Sequence, residues 1–153
     1  MSENVSSREE QAADLLARAA FFRRMKPEQR QKIASLAELR SLSAGETIYR
    51  VGESAEHFYV LAQGMVRFSL PMGQRQLTAG EVIRHGEVFG WAALIEDARQ
   101  RIATASCITA STALVIDGQA LLREMAQDHS LGYAVMKEVS LLVISTLTAY
   151  AAG

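Results

Sequence analysis

From Gly45 to Ile116 the chain is divided into short runs of β-branched and aromatic residues, punctuated by glycines at positions 45, 52, 64, 73, 80 and 86. The runs are Thr47 to Val51, His57 to Ala62, Gln74 to Thr78, Val82 to Arg84, Ile102 to Thr109 and Ala113 to Ile116. In a further run, Val66, Phe68 and Leu70 alternate with Arg67 and Ser69, the period of a half-buried strand. Glycine supplies the positive φ that tight turns demand, so this punctuation predicts many short antiparallel strands, a barrel or a sandwich.

On either side the period becomes helical. Leu15, Leu16, Ala19 and Phe22 share one stripe from about Glu9, and Pro27 suits the first turn of a second helix carrying Ile33, Leu36 and Ala37. After Asp117, Leu121, Leu122 and Met125 mark a short helix. Leu131 to Tyr150 then reads as a long one, with Val135, Val139, Leu142, Val143 and Leu147 on a stripe. The expected fold is mainly β with flanking α: an antiparallel double-stranded β-helix, jelly-roll-like, with N-terminal helices and a long C-terminal helix. Residues 1–12 are expected to be a flexible start and 13–153 a single domain, with the roll over about 38–117 and the C-terminal helices over about 118–150.

Composition narrows the function. With 49% hydrophobic and 22% charged residues, a packed core is expected and disorder is not. Sixteen basic residues against seventeen acidic ones leave a net charge of −1, which does not favour nucleic acid as a partner. Arg23, Arg24, Lys26, Arg30 and Lys32 form a basic cluster without interleaved aromatics, read as a solvated helix face. The single Cys107 cannot form an internal disulfide and reads as a buried small residue, which points to a reducing cytoplasm. The polar N-terminus does not read as a signal peptide, and the longest apolar stretch near the C-terminus, Leu141 to Ile144, is too short for a membrane span. His57, His85 and His129 are isolated, so no metal set is expected, and His85 as a haem ligand is a remote reading. The chain shows no nucleophile elbow or Walker loop, and no enzyme is expected.

The stretch that carries chemistry is Gly86-Glu87-Val88-Phe89-Gly90-Trp91-Ala92-Ala93-Leu94-Ile95, followed by Arg101-Ile102-Ala103-Thr104. A strand ends at Phe89, Gly90 turns the backbone, and a short helix begins whose N–H groups suit an anion. An arginine at 101 aimed at the same place would fork onto a phosphate or carboxylate. The plainer reading pairs Arg101 with Glu96 or Asp97 on the surface.

In order and spacing these residues, with Gly45-Glu46-Thr47-Ile48, Gly52, Tyr59 and Gly64-Met65-Val66, resemble the cyclic nucleotide-binding domain of catabolite-activator regulators, kinase regulatory subunits and nucleotide-gated channels. The resemblance runs from about Phe22 to Leu147. It implies that Arg101 pairs with the cyclic phosphate of cAMP or cGMP. Backbone N–H groups around Gly90, Ala92 and Ala93 would share that phosphate, with the N–H of Ile102 a further donor. It also implies that the C-terminal helix closes over the base, with Thr146 and Ser145 as polar candidates. No other cofactor is implied.

The segment departs from the family pattern: it lacks the proline common before the arginine, and one change matters most. Trp91 stands where the family's glutamate accepts the ribose hydroxyl. Indole has one N–H donor and no acceptor, so a sugar there loses about 1–3 kcal/mol, roughly one to two decades in affinity. Trp91 either caps an empty pocket or stacks on a different ligand, and Arg99 adds a cation to the same segment. The expected function is a regulatory sensor of a small anionic ligand that signals through its C-terminal helix, possessing no DNA-reading part of its own. The near-heptad stripe that ends at Tyr150 suits pairing with a second copy. The alternatives are the effector-binding and dimerisation part of a truncated transcription regulator, which would need roughly 60–80 more residues, and a degenerate interaction scaffold.

Overall fold

The computed structural model describes residues 2–72 and 75–152. Two helices, α1 (Ser2–Arg18) and α2 (Pro27–Ala34), precede eight strands: β1 (Ala37–Leu42), β2 (Thr47–Tyr49), β3 (His57–Gln63), β4 (Val66–Met72), β5 (Arg75–Ile83), β6 (Val88–Phe89), β7 (Thr104–Cys107) and β8 (Ser111–Asp117). Short 3-10 turns, Trp91–Leu94 and Glu96–Ala98, sit between β6 and β7, and helices α3 (Gly118–Gln127) and α4 (His129–Ala152) follow.

The strands form two four-stranded antiparallel sheets, in the orders β1-β8-β3-β6 and β2-β7-β4-β5. The first sheet is the middle of three layers, which explains why β3 is a continuous apolar run. Phe58 and Val60 face the helices, in a core with Phe22, Leu114, Ile116, Leu121 and Leu131. Tyr59 and Leu61 face the second sheet, in a core with Val66, Phe89, Ala105, Ala113 and Val115. A strand buried on both faces loses the apolar–polar alternation.

The connections obey local chemistry. Gly45, Gly52 and Gly86 have φ of +81°, +86° and +82°. Each is followed by a glutamate whose carboxylate accepts the N–H three residues back: Ser43 to Glu46 at 3.0 Å, Arg50 to Glu53, and Arg84 to Glu87 at 2.7 Å. Three Gly-Glu turns thus share one design. Asp117 caps α3 through the Ala120 N–H at 3.2 Å, and Asp128 caps α4 through the Leu131 N–H at 3.2 Å.

Several expectations change. The runs at 74–78 and 82–84 belong to one strand, β5, and Gly80 lies within it instead of at a turn; Gly73 and Gln74 fall outside the described residues. The backbone is helical from Ser2, upstream of the apolar stripe that begins near Glu9. The strand expected from Ile102 begins at Thr104. The basic cluster is not simply a solvated face. The Arg30 guanidinium donates to the carbonyls of Phe22 (3.4 Å), Arg23 (3.3 Å) and Met25, fastening the turn between α1 and α2, and Lys32 pairs with Glu124 at 3.6 Å.

The long helix also differs in its faces. Val135 and Val139, expected on a pairing stripe, are buried in the chain's own core, and Leu142 and Val143 pack against it. The exposed apolar residues are Tyr133, Leu141, Ile144 and Leu147; the side chain of Tyr150 lies outside the described residues. Although Leu141 to Ile144 is short, the stretch His129–Thr148 contains an 18-residue window of mean hydropathy 1.3 and is long and apolar enough to cross a bilayer by length and composition. Leu131, Val135 and Val139 tie this helix to the roll.

Candidate functional site

Trp91 occupies the first position of a 3-10 turn because Gly90, at φ +83°, reverses the chain directly after β6. No side chain fits at Gly90. A Cβ there would lie 2.9 Å from the Tyr59 ring, 3.1 Å from the His57 carbonyl and 3.2 Å from Arg101 Nη1.

Arg101 approaches the same point from the other side. It is only 4% exposed, and it is not paired with Glu96 or Asp97. Its Nη1 donates to the Gly90 carbonyl at 3.0 Å and its Nη2 to the His57 carbonyl at 2.7 Å. The guanidinium carbon lies 3.9 Å above the Tyr49 ring centroid and 5.9 Å from that of Tyr59. Tyr59 stacks on Phe89 with centroids 4.8 Å apart and planes 7° apart, so the arginine rests on an aromatic shelf. Burial lowers the Arg101 pKa, while Tyr49 and Tyr59 act in the opposite direction. Among the described residues Arg101 Nε has no hydrogen-bond partner. A buried guanidinium donor left unpaired is costly.

Arg99 has a different task. With the Gln119 amide turned so that its oxygen faces the guanidinium, Nη1 and Nη2 of Arg99 donate to it at 2.7 and 3.1 Å, and Nη2 lies 3.4 Å from the Ala55 carbonyl. It fastens the cassette to α3. Gly118 makes that approach feasible: its N–H donates to the Glu56 carbonyl at 2.9 Å, and a Cβ would lie 2.8 Å from the Ala93 carbonyl.

A cavity of about 820 Å³ opens between this cassette and α4. Its wall includes Phe89, Gly90, Trp91, Ala92, Arg101 and Ile102 from the cassette, and Leu141, Leu142, Ser145, Thr146 and Thr148 from α4. Ala93 is off the wall, buried against Ala55 and Ala92, and its N–H donates to the Gly90 carbonyl at 3.2 Å. Trp91 is half-buried: it packs against the core and also lines the cavity.

Sequence reasoning missed Ala20, Phe21, Arg23, Arg24, Tyr49, Phe68 and Ile83, which also line the wall. The first four come from the α1–α2 turn, brought there because Phe21 and Phe22 pack beside Phe58 at centroid distances of 5.1 and 6.3 Å. No local pattern reveals such docking. His85 is exposed on its turn and does not line the cavity, against the haem-ligand reading. No group of three or more His, Cys, Asp or Glu is placed to hold a metal among the described residues. Cys107 is buried, as expected, and burial raises its thiol pKa.

A β roll with an arginine-backed turn under a long helix defines a class of small-molecule-binding modules. The cyclic nucleotide-binding domain model matches residues 39–128, and the chain belongs to that family. A search among curated proteins finds no match. Among solved structures, the chain is similar to a Geobacter metallireducens protein described as cyclic nucleotide-binding, at 25% identity and a TM-score of 0.77, covering 89% of this chain and 98% of that one. It is also similar to the sensor domain of the transcriptional regulator DNR from Pseudomonas aeruginosa (24% identity, TM-score 0.74, 88% and 90% covered). A third is the regulatory domain of Toxoplasma gondii PKA with cAMP (21% identity, TM-score 0.75, 88% and 51% covered). The fold is therefore that of cyclic nucleotide-binding domains, shared with regulatory and sensor domains.

Proposed function

We propose that residues 13–153 act as a regulatory module that binds a small anionic ligand, a cyclic nucleotide or a related anion, and reports it through α4. The observation that carries this is the cavity: one space is walled by the cassette and by α4 together, so an occupant touches both. The anion would approach Arg101, Gly90 and Ala92, with Ile102 beside them and Thr146 and Ser145 opposite. Arg101 is already positioned by two carbonyls and lines the cavity.

Two routes would carry the change onward. One is direct, from ligand to α4. The other runs through α3, whose Gly118 touches Ala93 and whose Met125 meets Gly132 of α4, where a Cβ would lie 3.2 Å from the Met125 carbonyl. A ligand shifts α4 only by binding one of its arrangements better than the other. The exposed Tyr133, Leu141, Ile144 and Leu147 support self-association through α4, whether in a separate module or in a longer regulator. The reading is of a sensor and not of an enzyme, in a reducing cytoplasm, without direct nucleic-acid contact.

Calorimetric titration with cAMP and cGMP tests the reading. Saturable binding that weakens in Arg101→Lys, at unchanged folding, supports it. A folded protein indifferent to every anion tried would favour the scaffold reading.

A further inference from the structure

We propose that Arg23 and Arg24 form an anion subsite at the mouth of the cavity, and that the ligand is an organic acid with an apolar body. Its carboxylate would meet the two arginines, and its body would lie along Trp91, Phe68 and Leu142. This rests on the proposed function, since it takes the cavity to be the ligand site.

Both arginines line the cavity and are exposed, and among the described residues neither belongs to an ion pair. Their turn is held in place. Arg30 fastens the carbonyls of Phe22, Arg23 and Met25, so the pair is presented on a fixed corner. A backbone already held in place loses less freedom on binding.

The rest of the wall selects the body. Glu87, one oxygen of which accepts the Arg84 N–H at 2.7 Å, and Glu138 are its two carboxylates, and both repel an anion from their part of the wall. The sugar position carries an indole, which offers a donor and an apolar face. Two exposed arginines beside a wall that includes Phe21, Phe68, Ile83, Trp91, Leu141 and Leu142 favour a carboxylate joined to hydrocarbon.

The experiment uses Trp91, the chain's one tryptophan, as the reporter, because it stands in the cavity wall. Its emission is titrated with decanoate, with uncharged 1-decanol, and with cAMP, in the native chain, in R23A/R24A and in R23K/R24K. Decanoate is expected to saturate, to weaken about tenfold in R23A/R24A, and to recover in R23K/R24K. 1-Decanol should be indifferent to all three backgrounds, which also shows the cavity to be intact. Equal decanoate affinity in the native chain and R23A/R24A would overturn the arginine subsite. Binding of cAMP without decanoate would overturn the ligand class and leave the sensor reading standing. No response to any of the three would remove both.

Discussion

The guanidinium carbon of Arg101 lies 3.9 Å above the centroid of Tyr49, while its two Nη atoms hold the carbonyls of Gly90 and His57. The aromatic face and the two carbonyls fix a buried cation at the point where the cassette turns. Tyr49→Leu is expected to lower stability by about 1–2 kcal/mol, the size of a partly desolvated cation–π contact. Tyr49→Phe should retain most of it. Urea unfolding of the two variants checks this.

Arg101→Met keeps much of the side-chain volume and removes both hydrogen bonds, stranding the Gly90 and His57 carbonyls. A loss of about 2–4 kcal/mol is expected. Arg101→Lys can satisfy one carbonyl and should lose less. Thermal and urea unfolding separate the two, and a loss no larger than that of an exposed arginine would contradict the buried geometry.

Gly90 and Gly118 should both resist substitution, for different reasons. Ala at 90 combines a left-handed backbone with a contact 2.9 Å from Tyr59, whereas Ala at 118 presses on the Ala93 carbonyl at 2.8 Å. Each is expected to destabilise by about 1–3 kcal/mol. Gly45→Ala, where a Cβ meets nothing within 4 Å, carries only the backbone term and should lose less.

Alkaline pH should unfold the protein earlier than its charge balance suggests. Burial raises the pKa of the Cys107 thiol and of the Tyr59 hydroxyl. The folded chain therefore keeps protons that the unfolded chain has released. Stability is full below the unfolded values, about 8.5 for cysteine and 10 for tyrosine, and falls as pH rises through the raised folded ones. Melting temperatures across that range, in the native chain and in Cys107→Ala, test this. The variant should lose less stability between about pH 8.5 and 10, where cysteine titrates first. Iodoacetamide should reach Cys107 only as the chain unfolds.

The roll was legible because its turns announce themselves: Gly45-Glu46, Gly52-Glu53 and Gly86-Glu87 are local instructions, each completed within four residues. The helices were legible from their stripes, but the role of each stripe was not. Val135 and Val139 show the same spacing whether they face a second copy or their own core. The burial of Arg101 was also hidden, because a charged residue after a turn reads as surface until Tyr49 and the His57 carbonyl are brought to it from 52 and 44 residues away in sequence. Arg23 and Arg24 read as a solvated cluster for the same reason. β1 escaped the list of strands because only Leu42 is buried in it, and an edge strand marked by Glu38 and Arg40 has little apolar pattern to show.

The most direct test of the central claim, an intact anion cassette whose sugar position is taken by Trp91, is calorimetric titration of cAMP into the native chain and Trp91→Glu. The account predicts that Trp91→Glu binds cAMP about ten- to a hundredfold more tightly than the native chain, the worth of one restored buried hydrogen-bond acceptor, and that adding Arg101→Lys removes the gain. A folded Trp91→Glu protein that binds cAMP no better than the native chain would contradict it.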